Sequence, residues 1–196
     1  MLARSHGPAS AGANRAVRLV TTIACVVALH ACAPVLPNRT KPGGAARWAH
    51  EQAQTVVFEW ARDAVLCRIH GVGVGNEGWL PDRGGVWKLS YWTPAKSSVL
   101  EVSVDSDGNV TSAEVDTSSV RGRSLPSSWQ DSPRVWAATM EHQVGTPIST
   151  FAAVLAFDSE PQRYPDRAVW RIRFFLQEQG FETHVVSDQA EWLATY

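Results

Sequence analysis

The chain has 196 residues, with 18 basic and 19 acidic side chains and a formal charge of −1. A nucleic-acid partner normally requires a basic surface, which this balance does not provide. If residues 1–31 are removed, as argued below, 165 residues remain with a charge of 15 − 19 = −4. That length suits one domain, or two small ones that share a core.

The first 31 residues have the composition of an export signal. Arg4, Arg15 and Arg18 accompany an apolar run from Leu19 to Leu29, and no acidic residue occurs among them. A run of about 11 residues is too short to cross a bilayer, which takes about 20. It fits the apolar centre of a secretory signal peptide.

The end of this segment resembles a bacterial lipobox. Leu29-His30-Ala31-Cys32 has an aliphatic residue, a variable one, a small one and then the cysteine that such signals acylate. The resemblance implies that the mature chain begins at Cys32 and is anchored by lipid in the cell envelope. Ala33 favours the outer membrane, facing the periplasm. An ordinary secretory cleavage site is the alternative.

The cysteines indicate no disulfide framework. Cys25 leaves with the signal and Cys32 carries lipid, which leaves Cys67 without a partner in an oxidising compartment. Apolar neighbours predict a buried thiol at Cys67, and a reactive thiol is the alternative.

The mature chain shows a tether, two helices and several strands. Residues 32–46 are rich in proline, glycine and small side chains, which predicts a flexible tether. Apolar residues at helical spacing predict a helix over 47–62. A second helix is expected to start at Ser132 as N-cap and to stop near Gly145. Between them, alternating patterns predict the strands Trp87 to Tyr91, Val99 to Asp105 and Val110 to Val115.

The same order returns after the second helix. A constant shift of 83 positions carries Trp87 onto Trp170 and Val102 onto Val185. We therefore predict an α+β fold of two tandem α-β-β-β-β units, residues 47–116 and 131–196, joined by a linker over 117–130. Each unit is expected to form an antiparallel sheet with its helix packed on one face, which leaves the other face open.

Part of the first unit resembles the PepSY family. The pattern Trp-x-Leu-x-Tyr at 87–91, followed by Val-x-Val-Asp-x-Asp-Gly-x-Val at 102–110, is similar to these small modules of propeptides and envelope proteins. Tandem helix-plus-four-strand units also resemble the family of secreted β-lactamase inhibitor proteins. Both resemblances imply binding or inhibition rather than catalysis.

Three short motifs are incomplete versions of known sites. The Gly-rich stretch 73–78 spells GxGxxG, but the residues after it cannot form the helix that holds a pyrophosphate. The stretch 50–54 has Gln54 where a zinc protease has its second histidine. The loop that starts at Asp105 lacks the glycine and glutamate of a calcium-binding EF-hand. We therefore predict no catalytic residue, no metal and no cofactor.

The remaining candidates lie on the predicted open face. They are Lys88 and Trp92 in the first unit and Arg171, Arg173 and Phe175 in the second. Aromatic and cationic side chains are typical of interaction hot spots, which favours a non-enzymatic protein that binds another protein or peptide. A solvated sheet face is the alternative for these residues. For the whole protein, the alternatives are an envelope lipoprotein with a pocket for a small apolar ligand, suggested by the nine tryptophans, and a hydrolase.

Overall fold

The computed structural model describes residues 44–116, 123–142, 152–159, 163–164, 167–176 and 180–196, all within one compact unit, Thr40–Tyr196. The predicted signal peptide and the predicted tether up to residue 43 lie outside the described residues. Gly44, Ala45 and Ala46 are buried, so the folded part already includes the end of the predicted tether. Within the described residues, neither helix has the length and apolar character needed to cross a membrane.

In the residues that the structure describes, two helices each precede four strands. In chain order these are α1 (Ala46–Trp60), β1 (Val65–Val74), β2 (Val86–Trp92), β3 (Val99–Asp105), β4 (Val110–Val115), α2 (Ser132–Met140), β5 (Ala152–Ser159), β6 (Ala168–Leu176), β7 (Gly180–Ser187) and β8 (Trp192–Thr195). A short 3-10 helix, Asn76–Gly78, lies between β1 and β2. We call residues 46–115 the first half and residues 132–195 the second half.

The strands form one antiparallel sheet in the order β4-β3-β2-β1-β5-β6-β7-β8. The predicted α+β class is confirmed, but the expectation of a separate sheet for each unit is wrong, because β1 pairs with β5 at the centre. An unpaired edge of the ten-residue β1 would expose a row of backbone groups, and this pairing satisfies them.

Both helices lie on the same side of the sheet and form the core with it. Helix α1 contacts β2, β3 and β4, and α2 contacts β6 and β7. Alternation along each strand places the large buried side chains on the helix-covered face. The largest fully buried ones are Trp87, Trp170, Tyr91, Phe157, Phe174, Ile69, Leu80, Leu89, Ile172, His184 and Val74. Trp129, which falls in the predicted linker, is also buried and packs on Phe157 and Trp170.

The first turns of the two helices share one carboxylate. Oδ1 of Asp131 accepts hydrogen bonds from the backbone N–H of Ser132, 2.8 Å away, and from that of Arg47, 2.9 Å away. The predicted N-cap, Ser132, is instead the first residue of α2, and Asp131 caps it. The Ser132 hydroxyl donates to the carbonyl of Gly78 and accepts from the N–H of Ala46. These bonds join the two halves at the helix N-termini.

The sheet register corrects the constant shift of 83 positions. Trp87 lies opposite Gly71 in β1, whereas Trp170 lies opposite Phe157 in β5, so Gly71 corresponds to Phe157, 86 positions later. The helices also begin 86 positions apart. Val104 lies opposite Trp87 and Val186 opposite Trp170, which is a shift of 82. The shift of 83 therefore holds for β2 and β6 and for part of β4 and β8, but not for β1, β3 or the helices, because the connections differ in length.

Candidate binding surface and a buried acid-base pair

The predicted lipidation site, Cys32, lies outside the described residues and stays a prediction. The predicted binding residues all lie on the face of the sheet opposite the helices, which we call the open face. Cross-strand register places Lys88 beside His70, His70 beside Ala156, and Ala156 beside Arg171. Lys88 and Arg171 thus share one row across β2, β1, β5 and β6. Their Cα atoms are about 14 Å apart at the usual strand spacing.

Arg173 and Phe175 lie further along β6 and are exposed. Phe175 is the register partner of Phe181 in β7, and the two rings have 51% and 54% of their surface in solvent. The guanidinium carbon of Arg173 lies 4.8 Å from the centroid of the Phe181 ring. Val72 of β1 is in the same row as Arg173, two strands away, and is 40% exposed. We call Val72, Arg173, Phe175 and Phe181 the aromatic-basic patch.

Phe181 and Val72 were missed by the sequence analysis. Phe181 lies in the predicted second unit, but the constant shift of 83 positions did not pair it with Phe175. Three residues separate Leu176 from Gly180, which is a spacing typical of a β-hairpin, and in the register of that hairpin Phe175 pairs with Phe181.

Trp92 does not join the aromatic-basic patch. It lies on the open face at the other end of β2 and packs with Cys67, Val99 and Val115 in a small separate cluster. Cys67 is buried, as predicted, and burial raises the pKa of its thiol to about 11. The structure therefore places Lys88, Arg171, Arg173 and Phe175 on the open face, with Arg173 and Phe175 in the aromatic-basic patch, and packs Trp92 in the small cluster.

A buried acid-base pair lies on the helix-covered face of β7. Nε2 of His184 is hydrogen-bonded to Oε1 of Glu182, and Nδ1 of His184 lies 3.1 Å from the hydroxyl of Thr195 in β8. The His184 side chain is fully buried and the Glu182 side chain is 10% exposed. Register shows that the corresponding residues of β3 are Val102 and Leu100, both apolar. The sequence analysis missed this pair because the constant shift aligned Val102 with Val185.

His50, the first residue of the incomplete zinc motif, has a hydrogen-bond partner. Its Nδ1 is 2.8 Å from the hydroxyl of Tyr91, a buried residue of β2. Burial, together with the nearby Arg47 guanidinium, lowers the pKa of His50, and burial raises the pKa of Tyr91. Gln54 donates from its side chain to the His50 carbonyl, one helical turn away. His50 thus satisfies a buried hydroxyl.

The other two motifs are loops. The described chain continues from the Gly-rich stretch through a single 3-10 turn into an irregular connection, so no α-helix N-terminus follows the glycines. Asp105 accepts from the backbone N–H groups of Asp107 and Asn109, which makes it the first residue of a tight turn into β4. Among the described residues, no three His, Cys, Asp or Glu side chains gather as a set of metal ligands.

Comparisons with known proteins show the fold but no family. No family model matches the chain, and a search of curated proteins found no match. The resemblance to PepSY modules therefore stays a prediction. A solved structure of a candidate lipoprotein from Clostridium difficile 630 is similar, with a TM-score of 0.53 and 11% identity over 75% of this chain and 91% of that one. At this identity the likeness shows the fold alone.

Proposed function

We propose that this protein is a lipid-anchored, non-enzymatic protein of the cell envelope that binds another protein or peptide through the open face of its sheet. The observation that carries the proposal is the aromatic-basic patch. Two phenylalanine rings more than half exposed beside an arginine form the kind of surface that supplies hot spots in protein interfaces. Scattered single apolar residues are normal on a surface, but a cluster of this kind indicates binding.

The anchor is supported by two independent observations. The segment 29–32 has the lipobox pattern, after a basic and then an apolar segment. The similar fold from Clostridium difficile belongs to a candidate lipoprotein. We place the protein at the outer membrane, facing the periplasm, on the residue after Cys32.

We also propose that the two halves are diverged repeats of one α-β-β-β-β unit. Both halves have the same order of elements, and both put a tryptophan at the corresponding position of their second strand. The central pairing of β1 with β5 then joins the two units into one sheet.

The anchor is tested by metabolic labelling with an alkyne fatty acid in cells that produce the full chain. Wild-type protein and the control variant Cys67→Ser are expected to take up label, and Cys32→Ser is expected to take up none. Mass spectrometry of the amino-terminal peptide identifies the modified residue. An unmodified thiol at Cys32 in the mature protein would contradict the anchor.

The binding function is tested by chemical crosslinking in intact cells, followed by isolation of the full chain from solubilised envelope. We expect a discrete crosslinked species of constant mass. Its amount is expected to fall when unlabelled protein is present in excess. If no species rises above the background of an unrelated envelope lipoprotein, the proposed function is wrong.

A further inference from the structure

The ends of the open face differ sharply between the two halves. Trp92 and Val99 lie at the positions of β2 and β3 that correspond to Phe175 and Phe181 in β6 and β7. In the first half these side chains pack with Cys67 and Val115, and Val99 is fully buried. In the second half the two larger aromatic rings are mostly exposed. A hydrophobic cluster that one half closes internally is thus left exposed in the other.

The open face is basic at its centre although the mature chain is acidic overall. The open-face positions of β2, β1 and β6 carry four formal positive charges, from Arg68, Lys88, Arg171 and Arg173. His70 lies among them, in the same row as Lys88. The neighbouring strand β3 adds the acids Glu101 and Asp105 on this face. The positive charge of the open face is therefore concentrated on its central strands.

We propose that this face binds an extended acidic segment of a partner protein, with an apolar side chain of that segment packed against Phe175 and Phe181. The inference rests on the proposed function and names the chemistry of the partner. Carboxylates of the segment pair with Arg173 and Lys88, and complementary charge also speeds and orients the encounter. A guanidinium stacked on an aromatic ring is oriented to bind a carboxylate through two N–H groups.

The place where the described chain begins favours a protein over the anionic membrane as the occupant. Gly44 is the first described residue, and its carbonyl accepts hydrogen bonds from the indole N–H of Trp87 and the backbone N–H of Leu80. The Trp87 side chain is on the helix-covered face, so Gly44 lies on the side of the sheet opposite the open face. Phe175 and Phe181 also lie at the end of β6 and β7, where a partner has access from outside the sheet.

The first test places a photoreactive benzoylphenylalanine at position 175 of the full chain, with position 111 as the control. Thr111 is exposed on the open face of β4, away from the aromatic-basic patch. After illumination of intact cells we expect a protein adduct from position 175, at least tenfold above that from position 111. Mass spectrometry is expected to locate the crosslink in a segment with an excess of Asp and Glu. A lipid adduct, a crosslink to a second copy of this chain, a non-acidic segment or no adduct would each overturn the inference.

The second test uses charge and aromatic variants that leave the core untouched. Lys88→Glu with Arg173→Glu is expected to reduce the crosslinked species of the intact-cell experiment at least tenfold, and so is Phe175→Ser with Phe181→Ser. The matched control for charge, Arg83→Glu with Arg134→Glu, changes two exposed arginines in a loop and in α2 and is expected to stay within twofold. Circular dichroism of each purified variant confirms that it folds.

The two proposals fail in different ways. If a discrete partner is captured but neither pair of open-face variants reduces it, the acidic-segment inference is wrong and the binding function stands. If the wild-type chain captures no partner, the binding function itself is wrong. Raising the salt concentration from 50 to 300 mM in a pull-down with the identified partner is expected to weaken capture at least fivefold, and unchanged capture would contradict the charge pairing.

Discussion

The two halves of the sheet share a layout but differ in what their corresponding positions hold. On the helix-covered face, the first half has Leu100 and Val102 where the second half has Glu182 and His184. On the open face, the first half buries its end cluster and the second half exposes two phenylalanines. The first half is therefore apolar and packed at positions where the second half is polar or exposed.

The contrast extends to the tryptophans at the centre of each half. The indole N–H of Trp87 donates to the Gly44 carbonyl, 2.8 Å away, and its ring lies over Gly71. Trp170 stacks on Phe157 with ring centroids 4.7 Å apart. No hydrogen-bond partner is found for its buried N–H within the part of the chain that the structure describes. Packing can therefore hold the same residue in two ways, by a hydrogen bond or by an aromatic stack.

The largest expected effect comes from separating Glu182 and His184. His184→Val alone leaves a buried carboxylate without its partner, and we expect a loss of about 3–5 kcal/mol in the free energy of unfolding. The double variant Glu182→Leu with His184→Val gives the second half the residues of the first half. A buried polar pair replaced by packed apolar side chains is often neutral or stabilising, by about 1–4 kcal/mol.

Denaturant unfolding of wild type and the three variants measures both effects, with Glu182→Leu as the second single change. The expected result is a strong coupling between the two positions. If the double variant is as unstable as either single variant, apolar side chains cannot replace the Glu182–His184 pair in the way that Leu100 and Val102 fill the first half. The comparison of the two halves would then lose its main support.

Gly71→Ala comes next in size. An added Cβ would lie 2.4 Å from Cζ3 of Trp87 and 2.5 Å from Cγ2 of Val74, so the core must shift. Overpacking of this kind costs about 1–3 kcal/mol. In Trp87→Phe the outer ring atoms that clash are absent, so Gly71→Ala is expected to cost less in that background. Thermal unfolding of the four proteins of this cycle gives the coupling, and equal costs in both backgrounds would contradict the close contact.

Local sequence patterns were sufficient to locate the helices and strands, but they did not predict how the strands pair. Alternation and helix-start residues located most strands and both helices, because those patterns depend on near neighbours. The pairing of β1 with β5 depends on residues 78 to 88 positions apart, and the connections shift the register of each strand differently. The predicted binding residues Lys88, Arg171, Arg173 and Phe175 were placed on one face by alternation alone. Phe181, His184 and Glu182 needed the true register.

Asp131 connects the two halves, and its loss is expected to affect both helices. Asp131→Ala removes the acceptor for the N–H groups of Ser132 and Arg47, at a cost of about 2 kcal/mol for a lost cap that serves two helices. Asp131→Asn keeps an acceptor oxygen and is the matched control. We expect it to retain most of the stability at neutral pH. A similar loss in both variants would show that the charge of Asp131 matters more than its hydrogen bonds.

The free energies of unfolding of the wild type and of Asp131→Asn are expected to depend differently on pH. Burial raises the pKa of Asp131 above its ordinary value, so the folded protein binds this proton more tightly than the unfolded chain does. The stability that this proton provides is full below the unfolded pKa of about 3.9 and is lost as pH rises through the folded pKa. Relative to Asp131→Asn, the wild type is therefore expected to lose stability as pH rises above about 4 and through the folded pKa of Asp131.

The last prediction concerns the rate at which Cys67 is labelled and involves no change in stability. With a pKa of about 11, the thiol is ionised in only about one molecule in ten thousand at pH 7, and the residue is also buried beside Val99. Iodoacetamide is expected to label Cys67 at least a hundredfold more slowly in the native protein than in urea, as measured by mass spectrometry of its peptide. Rapid native labelling would show that the end cluster of the first half opens in solution. That half would then expose Trp92 as well, and the exposure of Phe175 and Phe181 would no longer single out the second half as the binding site.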